Sequence, residues 1–229
     1  KFAMSSEETR YYLNGVYLHP CIENEKNILR AVATDGHRLA QIDIENPGLK
    51  NSFSGIIVPK KTVAELRMIL ENENDDISIS ISNNKIRFSN NSLTLTSKIV
   101  DGTFPDYKRV IPINNDKKLK VNASEFSKAV DRVSTVSSER SRAVKLKLSS
   151  GSLQLSVNSP ENGKAEDEIL VNYDQDNLEI GFNARYLQEL TSQVDGKNVE
   201  FSFKSSGDPA LMRDVDDEGA IYVVMPMRV

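Results

Sequence analysis

Tryptophan is absent from these 229 residues, cysteine occurs once and histidine twice. A single thiol, Cys21, cannot close an internal disulfide and suits a reducing compartment. With only Cys21, His19 and His37 as soft ligands, a zinc site would need carboxylates to complete it. His19-Pro20-Cys21 places two such ligands together, but nothing at suitable spacing completes a set, and a turn is expected there. No apolar run approaches the roughly 20 residues of a membrane span. Lys1-Phe2-Ala3-Met4-Ser5 lacks the apolar core of a signal peptide. There is no Gly-x-Ser-x-Gly elbow and no Gly-rich phosphate loop, so no motif speaks for an enzyme or a bound cofactor.

An excess of positive charge is missing too. Lys and Arg number 29 against 33 Asp and Glu, a net charge of −4. Nucleic-acid binding needs clustered basic side chains, so this balance taken alone argues against it. Dividing the chain at Asn114 sharpens the point: 14 basic and 14 acidic residues precede the break, 15 and 19 follow. The acid excess lies in the second part, where Glu166-Asp167-Glu168 and Asp214-Val215-Asp216-Asp217-Glu218 cluster. The second run resembles a calcium loop, but its twelfth position is Met225 rather than Glu, and a solvated hairpin loop is expected. Glu166-Asp167-Glu168 has no nucleophile or histidine near it in sequence and reads as a surface or interface cluster.

Strand signals dominate what is present. Ile77-Ser78-Ile79-Ser80-Ile81-Ser82 alternates strictly, as a half-buried strand should. Lys85–Phe88, Ser92–Thr96, Val144–Leu148, Leu153–Val157 and Val199–Phe203 do the same, which predicts antiparallel meanders with one wet face. Helical spacing predicts three helices. Residues 60–70 follow Pro59 and align Val63, Leu66 and Leu70. Residues 123–138 align Phe126, Val130 and Val133 behind an Asn122/Glu125 capping pair. Residues 184–194 align Leu187, Leu190 and Val194 behind Asn183. The fold class is α+β.

Element order repeats. Leu66 to Leu190 is 124 residues, Ile77 to Val199 is 122, and Leu29–Ala33 stands 124 before Leu153–Val157. This predicts two copies of one unit, residues 1–112 and 113–229, joined near Pro112-Ile113-Asn114-Asn115. The second copy opens with a strand, Lys118–Val121, and a helix whose equivalents would precede Lys1, so Phe2-Ala3-Met4 is expected to be a helix tail and the chain a fragment.

Two segments stand out. Thr34-Asp35-Gly36-His37-Arg38-Leu39 predicts a tight turn that presents His and Arg. Tyr222-Val223-Val224-Met225-Pro226-Met227-Arg228-Val229 is an apolar tail that should be buried or used, with methionines suited to varied peptides. These residues alone leave open a β-rich enzyme without a recognisable motif, or a peptide-binding scaffold that never meets DNA.

Arg10-Tyr11-Tyr12-Leu13-Asn14-Gly15, Ala33–Ala40, Asp101-Gly102-Thr103-Phe104-Pro105-Asp106-Tyr107 and Val223–Arg228 are similar to the bacterial sliding clamps, the beta subunits of DNA polymerase III, over their second and third domains. The resemblance implies a DNA clamp fold, with sheets outside and two helices per complete domain lining a channel. It implies a cytoplasmic, non-catalytic ring of two head-to-tail subunits that encircles duplex DNA and tethers polymerases and the clamp loader through short linear motifs, raising their effective concentration. It also implies that this stretch cannot close the ring alone. For the peptide-binding cleft, lined by both domains, the matching positions are Leu13, Thr34, Gly36, His37, Arg38, Leu39, Pro105, Arg109, Val110, Asn183, Tyr186, Val223, Val224, Met225, Pro226, Met227, Arg228 and Val229. Ser141 departs from a frequently aromatic position. Residues placed towards DNA are Arg10, Tyr11, Tyr12, Lys60 and Lys61, to which helical spacing adds Lys128 and Arg132. The inter-subunit face takes Thr135, Val136, Glu166, Asp167 and Glu168.

Overall fold

A computed structural model describes residues 2–45, 53–70, 76–138, 142–217 and 219–229. The chain forms two compact units, Lys1–Tyr107 and Lys108–Val229.

In unit 1 a 3-10 segment, Glu8–Leu13, precedes β1 (Gly15–Glu23), β2 (Lys26–Thr34), β3 (Arg38–Glu45) and β4 (Ile56–Pro59). These pair antiparallel in the order β4-β1-β2-β3. Helix α1 (Lys60–Leu70) follows, then a three-stranded sheet of β5 (Ser78–Ile81), β6 (Lys85–Ser89) and β7 (Thr94–Lys98). Alternation works as the pattern demands: Ile86 and Phe88 are buried while Lys85 and Arg87, which alternate with them, are exposed. Val63 and Leu66 of α1 pack against Ile56, Val58, Ile86 and Phe88, which closes the core of the unit.

Unit 2 contains β8 (Lys117–Asn122), α2 (Ala123–Ser134), β9 (Ala143–Ser149), β10 (Ser152–Ser159), β11 (Gly163–Leu170) and β12 (Leu178–Asn183). Helix α3 (Ala184–Thr191) and strands β13 (Asn198–Phe203), β14 (Ala210–Asp214) and β15 (Ala220–Val224) complete it. One sheet runs β11-β10-β9-β12, and β8-β13-β14-β15 pair as neighbours. Helix α2 lies on β10 and β11 and packs against α3.

The repeat is visible as topology. The order β4-β1-β2-β3 is matched by β12-β9-β10-β11, and β5-β6-β7 by β13-β14-β15. Strand β8 and helix α2 are the extra elements of unit 2. Residues 2–4 form a turn rather than the expected helix tail, with Ala3 and Met4 buried against Val16, Ala33 and Ala40.

Both later helices are shorter than their apolar spacing suggests. Asn122 caps α2 as expected, its Oδ1 accepting from Glu125 N at 3.0 Å. Ser134 Oγ and Thr135 Oγ1 then donate to the carbonyls of Asp131 and Arg132, so α2 ends at Ser134 and not at 138. In α3, Thr191 Oγ1 donates to Leu187 O and Ser192 Oγ to Glu189 O, and the helix stops at Thr191 rather than 194. Hydroxyls take the last carbonyls that further turns would have used. His19-Pro20-Cys21 is not a turn either; it lies inside β1. Strand β4 pairs β1 only at Gly15–Leu18, so Pro20 sits where that side of β1 needs no donor from it.

Phe126 of α2 is fully buried with its ring 5.2 Å from that of Phe201. Phe126→Ala is expected to lower unfolding free energy by about 3–5 kcal/mol, measured by urea denaturation; a loss near zero would contradict the packing described.

Candidate functional site

The β2–β3 turn is built by its own side chains. Asp35 Oδ1 accepts from the amides of His37 and Arg38 at 2.9 and 3.0 Å. Thr34 Oγ1 accepts from Gly36 N and donates to Arg38 O. Gly36 takes φ +91°, a conformation other residues rarely adopt. His37 is exposed at the tip. Arg38 is held: Nε donates to Asp35 at 3.0 Å and the guanidinium lies over the Phe2 ring. Leu39 and Leu13 are buried, Thr34 nearly so, and Pro105 is exposed. Of the candidate cleft residues in unit 1, Gly36, His37 and Pro105 are thus exposed, while Leu13, Thr34 and Leu39 are buried.

Unit 2 contributes the chain end. Val223 and Val224 close β15 and are buried, so they act as sheet residues. Met225 is partly exposed, Pro226 and Met227 half-buried, Arg228 and Val229 exposed. The tail crosses to β12, where Met227 N donates to Gly181 O at 2.8 Å. Two residues on, Asn183 caps α3 by accepting from Arg185 N at 3.0 Å, and half-buried Tyr186 follows in the first turn. Asn183, Tyr186 and Met227 are therefore tied to one strand end. Arg109 and Val110 are exposed on a 3-10 turn, Tyr107–Val110. Ser141 lies outside the described residues.

The basic candidates divide. In unit 1 the 3-10 segment and the start of α1 meet, with Lys60 N donating to Asn14 O and Lys60 Nζ to Ser6 Oγ. Tyr11 is half exposed and Lys60 and Lys61 are exposed, while Arg10 and Tyr12 are half-buried. Arg10 is paired with Glu7 through two bonds, at 2.8 and 2.6 Å. In unit 2, Lys128 is exposed on α2. Arg132 is exposed as well, but its guanidinium binds Asp167 of β11 at 2.6–2.7 Å. A residue placed towards DNA and one placed at the subunit face are thus partners, because α2 packs directly on β11. Glu166 pairs with Lys164 and Glu168 accepts from Ser152, while Thr135 is exposed and Val136 half-buried. Asp214 is buried, accepting from Gly196 N and Asp216 N. Among the described residues, no group of three or more His, Cys, Asp and Glu could hold a metal ion.

Comparison with known proteins decides the family. Residues 1–106 match the family model of the DNA polymerase III beta subunit, central domain, and residues 108–228 that of its C-terminal domain. The chain belongs to the DNA polymerase III beta subunit family. The beta sliding clamp of Caulobacter vibrioides is 48% identical over all 229 residues, which span 62% of its length. That of Pseudomonas aeruginosa is 39% identical, with 61% covered. Among solved structures, a sliding clamp from Bartonella birtlesii bound to griselimycin superposes with a TM-score of 0.95 at 51% identity, covering all of this chain and 61% of that one. The chain therefore spans about three-fifths of the relatives it matches.

Two features of this clamp-family chain escaped the sequence reading. Gly181 was one glycine among 11, and nothing in sequence says that the tail lies against it. The other is a buried polar network in unit 1. Arg30, whose side chain is 6% exposed, donates to both oxygens of Asp43 at 2.5–2.6 Å and to Glu23. His19 Nδ1 lies 3.1 Å from Pro20 O, which can only accept, so His19 Nε2 accepts from Tyr107 OH at 2.9 Å. Tyr17 stacks between His19 and Phe104, each at 4.8 Å. These groups anchor the Phe104–Tyr107 stretch on either side of Pro105. An arginine and an aspartate at facing positions of paired strands, Arg30 and Asp43, were the available signal.

Burial raises the pKa of the Tyr107 hydroxyl above its ordinary 10.0, and does the same for Tyr173 and Tyr222. A raised folded pKa means that the unfolded chain releases these protons first. Stability is expected to hold up to about pH 10 and to fall above it as the unfolded tyrosines ionise. Denaturant melts from pH 8 to 11 check this, with Tyr107→Phe reducing the alkaline slope; an unchanged slope in that variant would contradict the assignment.

Proposed function

We propose that this chain forms the central and C-terminal part of a sliding clamp, a non-catalytic tether that keeps polymerases on DNA. The carrying observation is a TM-score of 0.95 over the whole chain against a clamp of 51% identity, with both domain models matched in order. In the longer protein, two subunits would join head to tail around duplex DNA in the bacterial cytoplasm. Strand β11 is an edge of its sheet and holds Glu166, Asp167 and Glu168, which suits it to the subunit face. Arg10, Tyr11, Tyr12, Lys60 and Lys61 would meet DNA phosphates, without base readout and with strong salt dependence. Lys128 of unit 2 would contact DNA as well; Arg132 contributes less, since Asp167 already neutralises it. A net charge of −4 keeps that contact local and weak, as sliding requires.

Partners, including DNA polymerases and the clamp loader, would dock short linear motifs through apolar anchors. Met225, Pro226 and Met227 offer an adaptable apolar wall, with Asn183, Tyr186 and Arg109 of the same unit as polar rim groups. The Bartonella birtlesii and Pseudomonas aeruginosa clamps are both known with griselimycin bound, and the present chain is proposed to bind it at the same wall.

Fluorescence anisotropy with a labelled clamp-binding peptide tests this. The 229-residue chain is expected to bind it, griselimycin to displace it, and removal of residues 225–229 to abolish binding. Undiminished binding by the shortened chain would overturn the assignment of the tail.

A further inference from the structure

Two backbone contacts hold the C-terminal tail. Val224 ends β15, where it pairs with Ala210, and Met227 bonds to Gly181 on β12. Met225 and Pro226 span the interval, so the residues proposed to grip a peptide are strung between two sheets of unit 2. Their position depends on how closely Met227 and Val229 can approach β12.

That approach is possible only because residue 181 has no side chain. A Cβ built there would lie 2.6 Å from the Met227 carbonyl oxygen and under 3 Å from both γ-carbons of Val229. Gly181 has no left-handed φ, so the requirement is space and not conformation. Its neighbours Ile180 and Phe182 are buried and point to the opposite face, where Phe182 meets Phe203. The other edge of β12 is paired with β9, Gly181 lying opposite Lys145. The glycine thus serves the free edge and the tail laid across it.

We propose that Gly181 is the positioning residue of the peptide-binding wall: it admits Val229, accepts from Met227, and thereby sets Met225–Met227 beside Asn183 and Tyr186. The consequence for peptides rests on the reading given under Proposed function; the seating of the tail does not. A methyl group at 181 pushes against backbone as well as side chain, so the tail must lift rather than adjust.

Hydrogen–deuterium exchange on the 229-residue chain reads the seating directly at the Met227 amide, and peptide anisotropy reads the consequence. Gly181→Ala is expected to speed Met227 exchange and to weaken peptide binding by roughly tenfold or more, while Leu187 and Phe201 stay protected. Val229→Ala removes the γ-carbons seated over Gly181 without touching β12 or Met225–Met227 and is expected to speed Met227 exchange too, which keeps the test sound should Gly181→Ala misfold. Unchanged Met227 protection in Gly181→Ala would overturn the positioning role. Faster exchange with undiminished peptide affinity would overturn the link from tail to peptide. If the parent chain binds no peptide, the peptide reading fails, and Met227 exchange still decides the role of Gly181.

Discussion

A sheet whose strands alternate must hide one face, and in both units that requirement sets where the helices lie. Leu153, Leu155 and Val157 of β10 present one apolar face, and Phe126, Val130 and Val133 of α2 present another, all of them buried. In unit 1, Val63 and Leu66 do the same for Ile86 and Phe88. Transfer of such side chains from water is worth roughly 1.5–3 kcal/mol each, which exceeds the contribution of any exposed ion pair in the molecule. Helices pinned in this way carry their polar residues outward and place strand ends, turns and caps at fixed positions.

The candidate functional residues sit at those ends. Asn183 is both the last residue of β12 and the cap of α3. Thr34 closes β2 and builds the turn that displays His37. Lys60 opens α1 and bonds back to Asn14 and Ser6, which flank the 3-10 segment that holds Tyr11 and Tyr12. None of these positions involves unusual chemistry. Their value lies in being held by a rigid scaffold while one part of each stays accessible.

Much of this was legible in the sequence, for reasons that can be named. Alternation at Lys85–Phe88, where Ile86 and Phe88 are buried, and the 3.6-residue spacing of Phe126, Val130 and Val133 are direct consequences of burial, so these elements could be read. The repeat could be read because equivalent elements recur at nearly constant spacing. Helix ends could not, since Ser134, Thr135, Thr191 and Ser192 bond back to carbonyls in a way that apolar spacing does not record. The β1 strand through His19-Pro20-Cys21 was hidden because proline ordinarily interrupts pairing, and only the missing β4 partner at that point admits it. The candidate cleft positions rest on family motifs alone. The Arg132–Asp167 pair and the tail's contact with Gly181 join residues 35 and 46 positions apart, which local patterns do not report.

The central claim, that the C-terminal tail receives peptides, can be read at single residues through the methionine methyl groups. The chain has five methionines: Met4 and Met212 are buried, Met68 is exposed on α1, and Met225 and Met227 lie in the tail. Methyl-labelled NMR titration of the 229-residue chain with a clamp-binding peptide is predicted to shift Met225 and Met227 while leaving Met68 in place. A titration that shifts Met68, or moves no methionine while the peptide binds, would contradict the account.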